Sequence, residues 1–267
     1  MKKIFLLFLV FIFLSECSYA DIALVHSSYK HTMSITSGSP VTSYLTTIAT
    51  IDSGSNQMLV VGVSAEIART TGTITFGTVS YNGTLMTQVT TASVVATGNG
   101  SVDGVALYYL QNPAVGTNNY VASTVSASTG IGTINSHKIL AISLSGVNQA
   151  APEANNSATN NSASASVNLT TLTNNAWVLD IVCEDLSTAT WTAGGGQSPV
   201  LDIGGNQMRA AMSYKPVATA GATTMSWAIS GSYGWAIIAA SFAPFVAASN
   251  ASVSGATSMT GITSISF

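Results

Sequence analysis

Apolar side chains recur at every second position along most of this chain. The runs are rich in Val, Ile, Thr, Tyr and Phe, and clusters of Gly, Asn and Ser punctuate them. A period of two places alternate side chains on opposite faces of an extended strand, and the small polar clusters supply turns. The pattern predicts strands over 42–51, 57–67, 85–95, 102–110, 119–126, 138–144, 164–170, 177–184, 208–215, 223–229 and 235–242. No window of twelve residues carries the 3.6-residue period of an amphipathic helix. Asn82-Gly83 predicts a tight hairpin, because both residues tolerate positive φ. Pro113 and Pro216 end strands, since proline lacks the ladder donor. The expected class is all-β: a single two-sheet antiparallel sandwich, jelly-roll-like in its connections.

The order of landmarks occurs twice. NQMLVVGVSAE begins at Asn56 and NAWVLDIVCED at Asn175. Tyr109, Pro113 and Gly116 are echoed by Tyr214, Pro216 and Gly221, and KILAIS at Lys138 by WAIIAAS at Trp235. The expectation is a pseudo-twofold repeat with halves at about 56–147 and 174–243. An Asn, Ala and Ser-rich surface linker over 148–162 would join them. Each half offers few strands to close its own core, so one β-sandwich domain over 21–246 is expected rather than two domains. The Ser/Thr-rich stretch 247–267 reads as a tail, either flexible or able to add a strand to a sheet edge.

The amino terminus changes the picture of where the chain folds. Lys2 and Lys3 precede an unbroken apolar run over 4–14, and Ser18 and Ala20 are small. This reads as a signal peptide over 1–20, cleaved before Asp21. The run is too short to span a bilayer, which takes about 20 apolar residues. The alternatives are an uncleaved anchor, or a lipoprotein built on Cys17, although Glu16 stands where a small residue is wanted. Once Cys17 has left with the leader, Cys183 is the lone thiol. It sits in an apolar run and reads as a small core hydrophobe. The expected localisation is secreted or cell-surface, with no membrane span in the mature chain.

Charge narrows the function classes. Seven Lys and Arg stand against ten Asp and Glu, for a net charge of −3, and charged residues make up 6% of the chain. Soluble domains average about 25%. So few cations make no nucleic-acid footprint. Low charge with many β-branched residues is not a disordered composition, and two cysteines make no disulfide framework.

Three stretches, NQMLVVGVS from Asn56, YYLQNPAVGT from Tyr108 and LSGVNQAAP from Leu144, resemble β-sandwich modules of unknown function found in secreted and surface proteins of bacteria and phages. The resemblance extends over about 55–244. It implies architecture and compartment, and it carries over no activity and no site residue.

Chemistry-bearing motifs are sparse. His26, His31 and His137 have no metal-ligand spacing and read as surface residues. Gly194-Gly195-Gly196 is followed by no Lys-Ser/Thr and reads as a turn. The acids Glu66, Asp103, Glu184, Asp185 and Asp202 are candidates for the carboxylate pair of a glycosidase, which sits about 5–9 Å apart. Glu184, Asp185 and Asp202 also offer oxygen ligands for Ca²⁺; no other cofactor is implied. Trp177, Trp227 and Trp235 lie in apolar strands and read as core. Tyr81 with Asn82, and Trp191, lie beside small turn residues, where an exposed ring stacks on a sugar face. The expected function is a non-catalytic extracellular module, surface/structural or adhesion-type, binding neutral glycan through Tyr81, Asn82 and Trp191. Self-association through a sheet edge or the tail is a further expectation. The alternative is a secreted polysaccharide-active enzyme, a glycoside hydrolase or lyase, on the same sandwich.

Overall fold

The structure is a computed structural model and describes residues 19–34, 40–51, 54–69, 71–95, 100–128, 133–185, 188–205 and 207–247. The expected tail beyond 247 and the expected signal peptide up to 18 lie outside the described residues.

Alternation of apolar and polar residues is realised as fifteen strands and no helix among the described residues. They are β1 (Ala23–Ser34), β2 (Val41–Ile51), β3 (Met58–Ile67), β4 (Ile74–Tyr81), β5 (Thr84–Leu85), β6 (Thr87–Val95), β7 (Val102–Gln111) and β8 (Gly116–Ala127). They continue with β9 (Ile134–Ser145), β10 (Ala154–Thr170), β11 (Ala176–Glu184), β12 (Trp191–Ala193), β13 (Ser198–Ile203), β14 (Arg209–Val217) and β15 (Ala222–Phe242). Asn82 and Gly83, with φ of 47° and 82°, make the tight turn between β4 and β5.

The strands form three antiparallel sheets. One runs β1-β9-β3-β7-β6, a second β10-β15-β11-β14-β13 with β12 also on β15, and a third β2-β8-β4-β5. The sheets stack in a sandwich-like manner, and side-chain parity sets the stacking. Met58, Val60, Val105, Leu107, Leu140 and Ile142 of the first sheet face Leu179, Ile181, Met212, Ile238 and Ala240 of the second. The opposite faces of the same first-sheet strands, carrying Leu59, Val61, Val63, Ala106 and Ile139, pack on Val79, Tyr81, Val121 and Val125 of the third sheet.

The outer face of the second sheet is covered by its own strands. β15 pairs with β11 through 235–242 and with β10 on both sides of a register break, through 222–228 and 233–241. Its first part, with β12 and the end of β10, folds back so that Met225, Trp227, Ile229, Ala165 and Val167 cover Val178, Val182 and Ile237. The free edges of the two central sheets also lean together, β1 against β13 and β6 against β10.

Two expectations change here. The two-sheet sandwich is replaced by three sheets, because β3, β9 and β11 are apolar on both faces and each central sheet needs a cover on both sides. The expected linker over 148–162 is strand from Ala154 onward: residues 154–162 pair with 233–241 of β15. Asn155, Asn156, Thr159 and Asn160 point to solvent, so this edge strand is held by backbone bonds and shows little apolar period. β4, β12 and β13 were not among the expected strands, and 223–229 and 235–242 are one strand rather than two.

The two central sheets are in close contact at Gly62. A Cβ there would overlap Cδ1 of Ile181, which is wholly buried on the facing β11. Gly62→Ala is therefore expected to cost about 1–3 kcal/mol by overpacking. Ile181→Val alone should cost about 0.5–1.5 kcal/mol. Because Val lacks the colliding carbon, the double variant should lose less than the sum. Urea unfolding of the four proteins checks this as a double-mutant cycle.

Candidate functional site

β12 is short because three glycines follow it, and the chain then turns into β13. Between these strands and the folded-back part of β15 lies a cleft of about 490 Å³, lined by Trp191, Thr192, Gln197, Pro199, Val200, Asp202 and Trp227 among others. The Trp191 and Trp227 rings lie 5.6 Å apart between centroids, tilted by 56°. Trp227 is 2% exposed and forms the floor. Trp191 is half-buried and presents ring surface to the cleft.

Both indole N–H groups are tied down from behind. Trp227 Nε1 donates to Asp180 Oδ2 at 2.8 Å, and Trp191 Nε1 donates to Glu184 Oε1 at 2.6 Å. Asp180 also accepts from the backbone N and the Oγ of Ser213 at 2.8 and 2.7 Å. Gln197 Nε2 donates to Ser213 Oγ at 2.9 Å, and Gln197 Oε1 accepts from Ser226 N at 2.7 Å. Charge-assisted bonds of this length fix ring orientation, so the cleft is pre-organised. At the rim, Arg209 holds Asp202 bidentately through Nε at 2.8 Å and Nη2 at 2.7 Å, while its Nη1 donates to the carbonyl of Ala189.

Burial sets the protonation of the supporting acids. It pushes the Asp180 carboxyl up to about 7, against the opposing hydrogen bonds from Ser213 and Trp227. It also pushes Glu184 up to about 7, against the Trp191 hydrogen bond and the Arg209 charge.

A second group of acids lies elsewhere, between the two central sheets. One carboxylate oxygen from each of Glu66, Asp103 and Asp185 lies within 4.8 Å of the other two. All three residues are buried, with 1%, 0% and 1% exposure. Ser101 Oγ sits 2.6 Å from Asp103 Oδ2 and 2.7 Å from Asp185 Oδ1. Lys138 Nζ, nearby and also buried, donates to the carbonyl of Gly205 at 2.7 Å.

The structure thus separates the residues expected to act together. Trp191 lines the cleft. Tyr81 does not resemble it: the ring is 1% exposed in the core, and its hydroxyl donates to the carbonyl of Ala114 at 2.8 Å. Asn82 stands alone on an exposed turn of the third sheet. Of the Ca²⁺ candidates, Asp202 is ion-paired with Arg209. Glu184 and Asp185, consecutive in sequence, leave the strand on opposite faces: Glu184 backs Trp191, and Asp185 joins Glu66 and Asp103. His137 is fully buried rather than on the surface, within hydrogen-bond distance of Ser123 Oγ at 3.1 Å. Cys183 is a buried free thiol, as its apolar run implied. Trp227, Gln197 and Asp180 were not expected at a site. The one signal was Asp180 itself, a carboxylate inside the apolar run WVLDIVCE, which a core strand tolerates only with partners.

No protein-family model, curated protein or solved structure matches this chain.

The acids behind the cleft make stability depend on pH. Asp180 and Glu184 start from ordinary values of 3.8 and 4.5 and titrate near 7 in the folded chain. Between about pH 4 and 7 the folded state therefore holds protons that the unfolded chain releases. Stability should fall as pH rises through that window, by up to about 1.4 kcal/mol per pH unit for each extra proton held. Lys138, lowered by burial to about 8, acts in the opposite sense, so the fall should flatten between about pH 8 and 10, where the burial-raised Asp103 carboxyl and Cys183 thiol work against it. Denaturation midpoints at pH 5, 7 and 10 check both arms. Tryptophan fluorescence should titrate near pH 7 in the native chain and lose that step in Asp180→Asn/Glu184→Gln.

Proposed function

We propose that this chain is a secreted, non-catalytic extracellular module, of surface, structural or adhesion type, which binds a neutral glycan in the cleft at Trp191. The reading is carried by one observation: a partly exposed indole whose N–H is fixed by a buried carboxylate, beside a second indole that forms the cleft floor. A ring held in this way offers an apolar face at little entropic cost, and sugar C–H faces stack on such surfaces. Thr192 and Asp202 add hydroxyl and carboxylate partners, and a carboxylate oxygen bound by Arg209 still has lone pairs for sugar hydroxyls.

The disposition of the acids favours binding over cleavage. A glycosidase brings two carboxyl groups to face the scissile bond. Among the residues lining this cleft, Asp202 is the one carboxylate, and it is clamped by Arg209. Glu184 lies wholly buried behind the indole.

The proposal extends to the ancestry of the fold. Each half of the chain is read as a copy of one jelly-roll unit. The strand orders support this: β1-β9-β3-β7-β6 with β2-β8-β4 in the first half, and β10-β15-β11-β14-β13 with the folded-back ends of β10 and β15 plus β12 in the second. On this reading β10 and β15 each fuse two strands that are separate in the first half. The contacts of β1 with β13 and of β6 with β10 are then related by one twofold axis.

Affinity electrophoresis through a panel of neutral polysaccharides tests the glycan reading. At least one gel should retard the native chain. Trp191→Ala should weaken that retention tenfold or more, about 1.4 kcal/mol, and Trp191→Phe should keep part of it. Retention should change little with salt, since few charges are there to screen. No retention by any neutral glycan, or equal retention by Trp191→Ala, would overturn the proposal.

A further inference from the structure

Glu66 lies one residue before the end of β3, Asp103 stands directly opposite it one residue into the neighbouring β7, and Asp185 follows β11 of the facing sheet. Two halves of the chain therefore contribute to one buried acidic group, bridged by Ser101 between Asp103 and Asp185. Acid clusters on a surface are ordinary. This one is enclosed, and it holds polar atoms with no partner among the described residues: Glu66 Oε2, Asp103 Oδ1 and, independently of the acids, Ser136 Oγ. Ser136 is fully buried and stands directly opposite Glu66 on β9, so its side chain shares the face that carries the cluster. Leaving such atoms dry and unbonded is destabilising, and more so when they are charged.

Charge points the same way. Three carboxylates gather where Lys138 is the cation that acts on Glu66, and its ammonium is already directed at the Gly205 carbonyl. A divalent cation together with Lys138 would neutralise the group once its three carboxyls have given up their protons. The donors are all hard oxygens from carboxylates and hydroxyls, the ligand set of Ca²⁺, which takes them at about 2.3–2.6 Å. Oxygens within 4.8 Å of one another fit around a single ion at those bond distances.

We propose that Glu66, Asp103 and Asp185, with the hydroxyls of Ser101 and Ser136 beside them, form a buried Ca²⁺ site that ties the two halves of the chain together. The site is separate from the tryptophan cleft, because Asp185 leaves β11 on the face opposite Glu184. An ion held there stabilises the folded chain by mass action, since the unfolded chain has no such arrangement of ligands.

The full chain, dialysed against EGTA and then refilled, decides it. Equilibrium dialysis should find about one Ca²⁺ per chain at this oxygen site, and millimolar Ca²⁺ should raise the midpoint of thermal unfolding by several degrees over EGTA. Asp103→Asn and Asp185→Asn, checked for β-sheet circular dichroism, should lose both effects. Should either variant fail to fold, the metal content and Ca²⁺ shift of the native chain decide alone. Overturning results are no bound Ca²⁺ with equal midpoints in Ca²⁺ and EGTA, binding of Mg²⁺ in preference to Ca²⁺, or an undiminished Ca²⁺ shift in both folded variants. Glycan retention is not a readout here, so this site and the cleft stand or fall separately.

Discussion

Burial on both faces of the central strands is the constraint on which the rest depends. β3, β11 and the last part of β15 are buried at nearly every position, so one partner sheet cannot seal them. Each central sheet packs its inner face on the other and needs a second cover outside. The first sheet obtains that cover from β2, β8 and β4. The second obtains it by bending β10 and β15 back over their own sheet, and that fold-back makes the wall of the tryptophan cleft. The cleft is thus a by-product of how the core is closed.

The same constraint explains where the scarce charges lie. Glu66, Asp103, Lys138, Asp180, Glu184 and Asp185 are all buried, while the outward positions carry Ser, Thr, Asn and Gly. A soluble surface can be made of neutral hydrogen-bonding groups, but a buried charge persists only where something pays its desolvation. For Asp180 the compensation is visible as donors from Ser213 and Trp227. For Glu184 it is one indole N–H and the nearby Arg209 charge, with Oε2 left without a partner among the described residues. The Glu66 group has Ser101 and Lys138, and two of its oxygens still lack partners. That ranking marks the acidic group between the sheets as the least compensated place in the core.

Much of the fold was legible in the sequence because burial and strand period coincide there. The runs in β3, β7, β11 and β14 alternate or saturate with apolar residues, and each was placed to within a few positions. Where the period fails, the reading failed with it. The amino-terminal half of β10 is Asn, Ser and Ala on an edge, held by backbone bonds that leave no trace in hydropathy. β12 has three residues, too few for any period. The number of sheets was misjudged because an unbroken apolar run says that both faces are covered, but not by what. Trp191, singled out by its small, turn-forming neighbours, lines the cleft. The same logic makes Tyr81 its counterpart, yet its ring turns inward at the hairpin that Asn82 and Gly83 close. Asp180 was the one overlooked signal, a charge in a core strand that announces a buried network.

The pair Glu184-Asp185 shows how one strand end serves two sites. Adjacent residues on a strand point to opposite faces, so the end of β11 is gripped on both sides. Outward, Glu184 holds the indole that walls the cleft. Inward, Asp185 meets Ser101 and the acids of the first half. Strand ends are where a sheet frays first, since the ladder continues on one side only. Here the last residue is anchored to Trp191 in the next strand, and the one after it to Ser101 of the first half. The orientation of Trp191 therefore depends on more than its own three-residue strand. It depends on β11 ending in register, and that register is fixed between the two halves of the chain at the place where their buried acids meet.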